Sequence, residues 1–273
     1  MRLERASDYK YTPVPFSDVI IGISQSGETA DTLAAVRKGN CNNVKTLAVT
    51  NVLNSSLTRD ADATILMQAG PEISVAATKS FIAQLGVLIQ VVNILSGRKC
   101  DDVLPHAGFA IEKTFLTDLS EAVALCSRAE HIFYVGRGPF YPVMMEGALK
   151  MKEISYIHAE SYAAGEIKHG PFSLLSSETP VIAVCAPGPA YAVMLGNLKE
   201  MKARGTPVIA IGPEEETELQ ELADVLIPLE PGHLYLQILS ATVILQLLAY
   251  HTAAGLGREI DKPRNLAKSV TVE

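Results

Sequence analysis

Shifted by 162 residues without gaps, this chain matches itself. Val19-Ile20 falls on Val181-Ile182, Ala48 on Ala210, Leu57 on Leu219, Ala61-Asp62 on Ala223-Asp224, Ile65 on Ile227 and Gly70 on Gly232. Each copy reads strand, loop, helix, strand, short helix after an exposed loop, strand, glycine, long helix, so the repeat is one of structure and predicts two similar modules. Short β-branched runs at 18–24, 44–50, 63–67, 131–135, 179–185, 207–212 and 225–228 read as buried strands. Helical spacing at 28–38, 141–154, 191–203 and 215–224 lies between them. That alternation predicts an α/β fold in which each module is a three-layer αβα sandwich around a parallel sheet covered on both faces. The segments 75–95 and 233–254 read as longer, apolar, buried helices, and 98–130 as a mainly helical connector.

The second copy carries one unit more. The strand HIFYVG, a turn at Gly136-Arg137-Gly138-Pro139 and a helix through Ile154 precede the segment His158–Tyr162, which the first copy matches at Arg5-Ala6-Ser7-Asp8-Tyr9. By the logic of the repeat, the first module is incomplete at its start by one strand–helix unit, on the order of 25–30 residues. The expected division is a first module over 1–110, a second with its helical connector over 111–250, and a tail over 251–273.

Composition narrows the class. At 273 residues with 48% hydrophobic and 19% charged side chains, the chain can bury a sizeable core. A net charge of −7 leaves no general nucleic-acid footprint. Cys41, Cys100, Cys126 and Cys185 are far apart and form neither a zinc motif nor a disulfide framework, which fits a reducing, cytoplasmic setting. The polar start MRLERASDYKY is no signal peptide. The most apolar stretch, 234–250, reads as too short and too polar to span a bilayer.

Four segments carry possible chemistry. Ser24-Gln25-Ser26-Gly27-Glu28-Thr29 ends a strand and opens a helix, where hydroxyls and free N–H groups suit a phosphate. An ordinary helix cap would use the same residue types. Lys150 and Glu153 are three apart on one helical face: either a solvated ion pair, or a carboxylate base beside an ammonium that polarises an oxyanion. His169 sits in the irregular run Glu166–Pro171, where a near-neutral imidazole can serve as an acid–base group. The other five histidines form no pattern, and the aperiodic tail assigns Lys268 no role by local reading.

Together, SQSGETADT, VAATKSFIAQL, GALKMKEISYIHAESYAAGEIKHGP and the tail PRNLAKSVTVE resemble the isomerase domain of the glucosamine-6-phosphate synthases, the glutamine:fructose-6-phosphate aminotransferases. That domain consists of two sugar isomerase (SIS) modules, and the resemblance covers nearly the whole chain. It implies conversion of fructose 6-phosphate and ammonia to glucosamine 6-phosphate, with no metal and no organic cofactor. By resemblance, Ser24, Gln25, Ser26 and Thr29 bind the sugar phosphate, and Val75, Ala77 and Ala267 line the substrate. Glu153 moves a proton between C1 and C2, Lys150 stabilises the developing enol oxygen, His169 opens the ring and Lys268 forms the imine. The resemblance further implies a homodimer in which His169 reaches the neighbouring subunit's site.

Three departures accompany it. No glutaminase domain with an N-terminal cysteine nucleophile is present in the sequence, so a separate glutaminase subunit is a possible partner. Ala77 stands where the family usually has a sugar-binding serine, a loss of about 0.5–1.5 kcal/mol for one neutral hydrogen bond. The first strand and its glycine/threonine/serine loop have no counterpart. The alternatives are therefore a phosphosugar-binding or regulatory SIS protein without turnover, or an inactive truncated product.

Overall fold

The computed structural model describes residues 3–9, 11–13, 19–97 and 103–269. Asp18, Cys100, the start of the connector at 98–102 and the tail beyond Ser269 lie outside them. The chain forms two compact units, one made of the described residues up to Ser96 and from Asn265 onward, the other spanning Gly97 to Arg264.

In the first unit, α1 (Ala6–Tyr9) precedes β1 (Val19–Ser24), α2 (Ala30–Cys41), β2 (Lys45–Thr50), α3 (Ser56–Asp60), β3 (Ala63–Leu66) and α4 (Lys79–Ser96). The strands pair in parallel in the order β1-β2-β3. The second unit opens with α5 (Ala107–Thr114) and α6 (Ser120–Arg128), followed by β4 (His131–Gly136), α7 (Phe140–Ser155) and β5 (His158–Ala163). It continues with β6 (Val181–Val184), α8 (Tyr191–Lys202), β7 (Val208–Gly212), α9 (Thr217–Leu222), β8 (Val225–Pro228) and α10 (Leu234–Gly255). Its parallel sheet runs β5-β4-β6-β7-β8. Residues 103–110, grouped by the sequence with the first module, fall in the second unit, where α5 packs on α10.

The repeat is physical. Asp62 Oδ2 accepts the Thr46 N–H at 2.8 Å, and Asp224 Oδ2 accepts the Val208 N–H at 2.7 Å, the same bond between equivalent residues of the two copies. Leu57 and Leu219, also equivalent, are both fully buried. In the second unit every residue of β6 and β7 is buried, as expected of apolar runs covered on both faces. Phe133 and Val135 of β4 pack with Met194, Leu198 and Met201 of α8 in one buried cluster.

Four readings need correction or extension. The helix read from residue 75 starts at Lys79, because the Glu72 carboxylate accepts the N–H groups of Thr78 at 2.9 Å and Ser80 at 3.2 Å and holds the intervening residues as a loop. That helix is not buried: of α4 only Ser80, Ile89 and Asn93 are, and Ile94 and Leu95 are 78% and 73% exposed. α10 runs to 22 residues and, like α4, is long and apolar enough by composition to cross a membrane. More than half of it is buried, along α5, α6 and α7. The sequence reading also passed over β5, whose run HAESYA is too polar to look like a strand. His131 and His158, which showed no pattern, meet there as register partners with their Nδ1 atoms 3.1 Å apart.

Candidate active site

The segment after β1 is shaped as a cradle. Ser24 Oγ lies 2.8 Å from Thr29 Oγ1 and accepts the Gly27 N–H at 3.1 Å. Ser26 Oγ accepts the Glu28 N–H at 3.2 Å. Thr29 is the N-cap of α2 but makes no side-chain cap bond, so the first N–H groups of this twelve-residue helix keep their partial positive charge for an anion. Glu28 turns away and accepts the Ser56 N–H at 2.7 Å; that bond holds its carboxyl below the usual range and pins the loop to α3. The Gln25 carbonyl accepts the Asn51 N–H at 3.0 Å. Ser55, which sequence reasoning missed, lies beside Gly27 with a buried hydroxyl that has no protein partner.

Gly27 is required here. Its φ of +68° lies in the left-handed region, and a Cβ would come within 2.1 Å of Ser55 Oγ. Gly27→Ala should cost about 1–3 kcal/mol in strain and open the loop. Thermal unfolding together with a phosphosugar binding isotherm would check this: a variant with unchanged affinity would mean that the loop geometry does not matter.

Lys268, invisible to local reading, is anchored. Its Nζ lies 3.0 Å from Glu72 Oε2, and Glu72 is also held by the Ser80 hydroxyl. Burial pushes the Glu72 carboxyl up, but hydrogen bonds from Ser80, Thr78 and Lys268 outweigh it and leave it below its ordinary 4.5. Val75 and Ala77 ride half-buried on the loop closed around this carboxylate, and Ala267 is exposed beside Lys268. Because the folded value is depressed, the anchor contributes fully above pH 4.5 and is lost as pH falls through that lower value. Acidification should therefore expose the tail to limited proteolysis, and Glu72→Gln should expose it at neutral pH. A tail equally resistant in both proteins would show that the ion pair does not hold it.

In the second unit, Lys150 and Glu153 are brought together on α7. Lys150 Nζ donates to Glu153 Oε2 at 2.6 Å, with the lysine side chain only 4% exposed and the glutamate 21%. This is not a solvated pair. A third group, missed in the sequence, completes it: Glu146 Oε1 lies 3.5 Å from Lys150 Nζ, one helical turn back, and accepts no hydrogen bond. Burial pushes the Glu146 carboxyl up; Lys150 opposes this and Glu153 adds to it. The ammonium thus sits between a buried carboxylate and a more accessible one, a layout that can move a proton at the accessible carboxylate while the cation faces a developing oxyanion. His169 ends a single 3₁₀ turn, Ile167–His169, and is exposed there. Among the described residues no cluster of three or more metal-ligating side chains occurs.

Comparison with known proteins follows this geometry. The SIS domain family matches residues 4–94 and 125–255. The chain is 45% identical to a glutamine–fructose-6-phosphate aminotransferase (isomerizing) of Methanosarcina acetivorans, over 99% of this chain and 46% of that protein. It is 44% identical to the corresponding protein of Methanothermobacter thermautotrophicus, over 98% and 46%. It thus spans about half the length of the curated relatives it matches. Among solved structures, the C-terminal domain of glucosamine-fructose-6-phosphate aminotransferase from Francisella tularensis superposes with a TM-score of 0.84 and 35% identity, covering 96% of this chain and 78% of that one.

Proposed function

Because this chain belongs to the SIS domain family, and within it to the C-terminal domains of the isomerizing fructose-6-phosphate aminotransferases, we propose that it carries the sugar chemistry of that reaction: fructose 6-phosphate plus ammonia gives glucosamine 6-phosphate plus water. The observation that carries the reading is the Glu146–Lys150–Glu153 array, its ammonium and one carboxylate buried and the other carboxylate accessible, an arrangement with no evident use in a protein that only binds. The Ser24–Thr29 cradle, with Gln25 and Ser26, holds the phosphate. His169 passes the proton that opens the ring, and it does so from the partner subunit of a homodimer. Lys268 Nζ leaves Glu72, gives its proton to solvent and adds to the C2 carbonyl; the carbonyl oxygen departs as water and a ketimine forms. Ammonia then displaces the lysine. Glu153 takes a proton from C1 and returns it at C2, the proton of the C1 hydroxyl passes to the imine nitrogen, which becomes the amine, and Lys150 neutralises the oxygen at C1 as it gains charge. Ala77 offers the sugar no hydroxyl, so affinity rests more heavily on the cradle. A separate glutaminase subunit is the proposed source of ammonia.

Purified chain given fructose 6-phosphate and an ammonium salt should form glucosamine 6-phosphate, followed by mass spectrometry. Saturable sugar-phosphate binding with no product, and no exchange of the C1 hydrogen with solvent deuterium, would replace this reading with a binding protein.

A further inference from the structure

The second unit's sheet begins with a histidine pair that the proposed reaction does not use. His131 opens β4 and His158 opens β5, and the ladder sets them directly opposite one another. The His158 N–H donates to the Glu130 carbonyl at 3.2 Å, so the backbone beneath the rings is fixed. The rings meet edge to face, 81° apart, with their Nδ1 atoms 3.1 Å from each other. Two lone pairs cannot face each other at that distance without a proton or a cation between them. Both residues are exposed, although every later residue of β4 is buried, so packing in a core does not account for the pairing. The far side of His158 is also occupied. Its Nε2 lies 3.4 Å from Glu160 Oε1, and the Tyr162 hydroxyl donates to Glu160 Oε2 at 2.6 Å. The carboxylate favours a proton on Nε2 and leaves His158 Nδ1 with a bare lone pair, toward which His131 Nδ1–H donates. A carboxylate behind one imidazole nitrogen and a lone pair on the other is the arrangement that orients a metal-ligating histidine. The spacing agrees. With metal–nitrogen bonds of about 2.0–2.1 Å, neighbouring ligands stand about 2.9 Å apart at a right angle and about 3.3 Å apart at the tetrahedral angle. The observed 3.1 Å lies between them.

We propose that His131 and His158 form a two-nitrogen chelate for a divalent transition-metal ion of the zinc type, with Glu160 orienting one ligand from behind. Imidazole nitrogen suits zinc, copper and nickel, whereas magnesium and calcium take oxygen. The ion replaces the proton between the rings: His131 moves that proton to its own Nε2, and both Nδ1 lone pairs bind. Among the described residues no group of three or more metal-ligating side chains occurs, so water fills the remaining positions. The bound ion ties β4 to β5 at the start of the sheet, just after the helix that carries Glu153.

The test titrates zinc chloride into the full chain, first stripped of metal by dialysis against a chelator. Calorimetry should show saturable binding of one ion per chain. His131→Gln and His158→Gln should each weaken it by about tenfold or more, and Glu160→Gln, which leaves both ligands in place, by about tenfold. Circular dichroism of each variant confirms that the fold is kept. X-ray absorption of the zinc-loaded, unaltered chain needs no variant: it should show two imidazole nitrogens at about 2.0–2.1 Å and no sulfur. Three results would overturn the proposal: no saturable binding, binding unchanged in any of the three variants, or a sulfur neighbour at about 2.3 Å. The last would move the ion to a thiol such as the exposed Cys41.

Discussion

Replacing Lys150 with methionine should lower the unfolding free energy of the second unit by about 3–5 kcal/mol, the usual cost of leaving a buried charge without its partner. The group left behind is Glu146, whose side chain is 9% exposed and whose nearest cation is the Lys150 ammonium at 3.5 Å. Glu153, at 21% exposure, can turn to water; Glu146 cannot. The loss should therefore be largest where Glu146 is ionised and shrink as pH falls and its carboxyl takes up a proton, at a pH above the ordinary glutamate range because burial has raised it. Urea unfolding as a function of pH measures this directly. Combining Lys150→Met with Glu146→Gln should recover much of the loss, since neither charge then remains, and the double-mutant cycle should report strong coupling. A pH-independent loss, unrelieved in the double variant, would mean that Lys150 matters for packing alone.

The same array shows where sequence reasoning reaches and where it stops. The spacing of Lys150 and Glu153 placed both on one face of α7, and the helix indeed runs from Phe140 to Ser155. Glu146 was equally visible at i−4, but a Glu–Lys pair at that spacing ordinarily marks a solvated face. α7 packs along α10, supplied by residues some ninety positions later, as well as on β4 and β5, and a helical period does not state which of its stripes such neighbours will cover. Lys268 is the extreme case: its partner Glu72 lies 196 positions away, and nothing near the lysine encodes the contact. The cradle was legible because strand end, hydroxyls and helix start are consecutive and its hydroxyl bonds are local, although Gln25, Gly27 and Glu28 also tie the loop to Asn51, Leu57 and Ser56. The parallel sheets were legible for a similar reason: apolar runs such as VIAV and VIAIG declare burial on both faces. By the same logic α4 declared burial and did not achieve it. Composition gives what a helix can bury, whereas the structure decides what is present to bury it.

Under the proposed reaction, Glu153→Gln should reduce turnover of fructose 6-phosphate with ammonia by about 10²–10⁴-fold, the range for losing a positioned general base. The amide is isosteric and can still accept from Lys150 Nζ, which lies 2.6 Å from the native carboxylate, so the geometry of α7 should persist. Affinity for the phosphosugar should change little, because the Ser24–Thr29 cradle is untouched, and the loss should fall on kcat rather than KM. Stability should also change little, since Lys150 keeps the Glu146 carboxylate as its counter-charge. One further consequence separates loss of a base from general disruption. Glu153 is one of the groups that raise the Glu146 carboxyl, so removing its charge should let the Glu146 value fall toward the ordinary range, readable from its carboxyl infrared band. A variant with wild-type turnover would take the proton transfer away from Glu153. A variant inactive because it is unfolded would show neither sugar binding nor a resolved Glu146 titration.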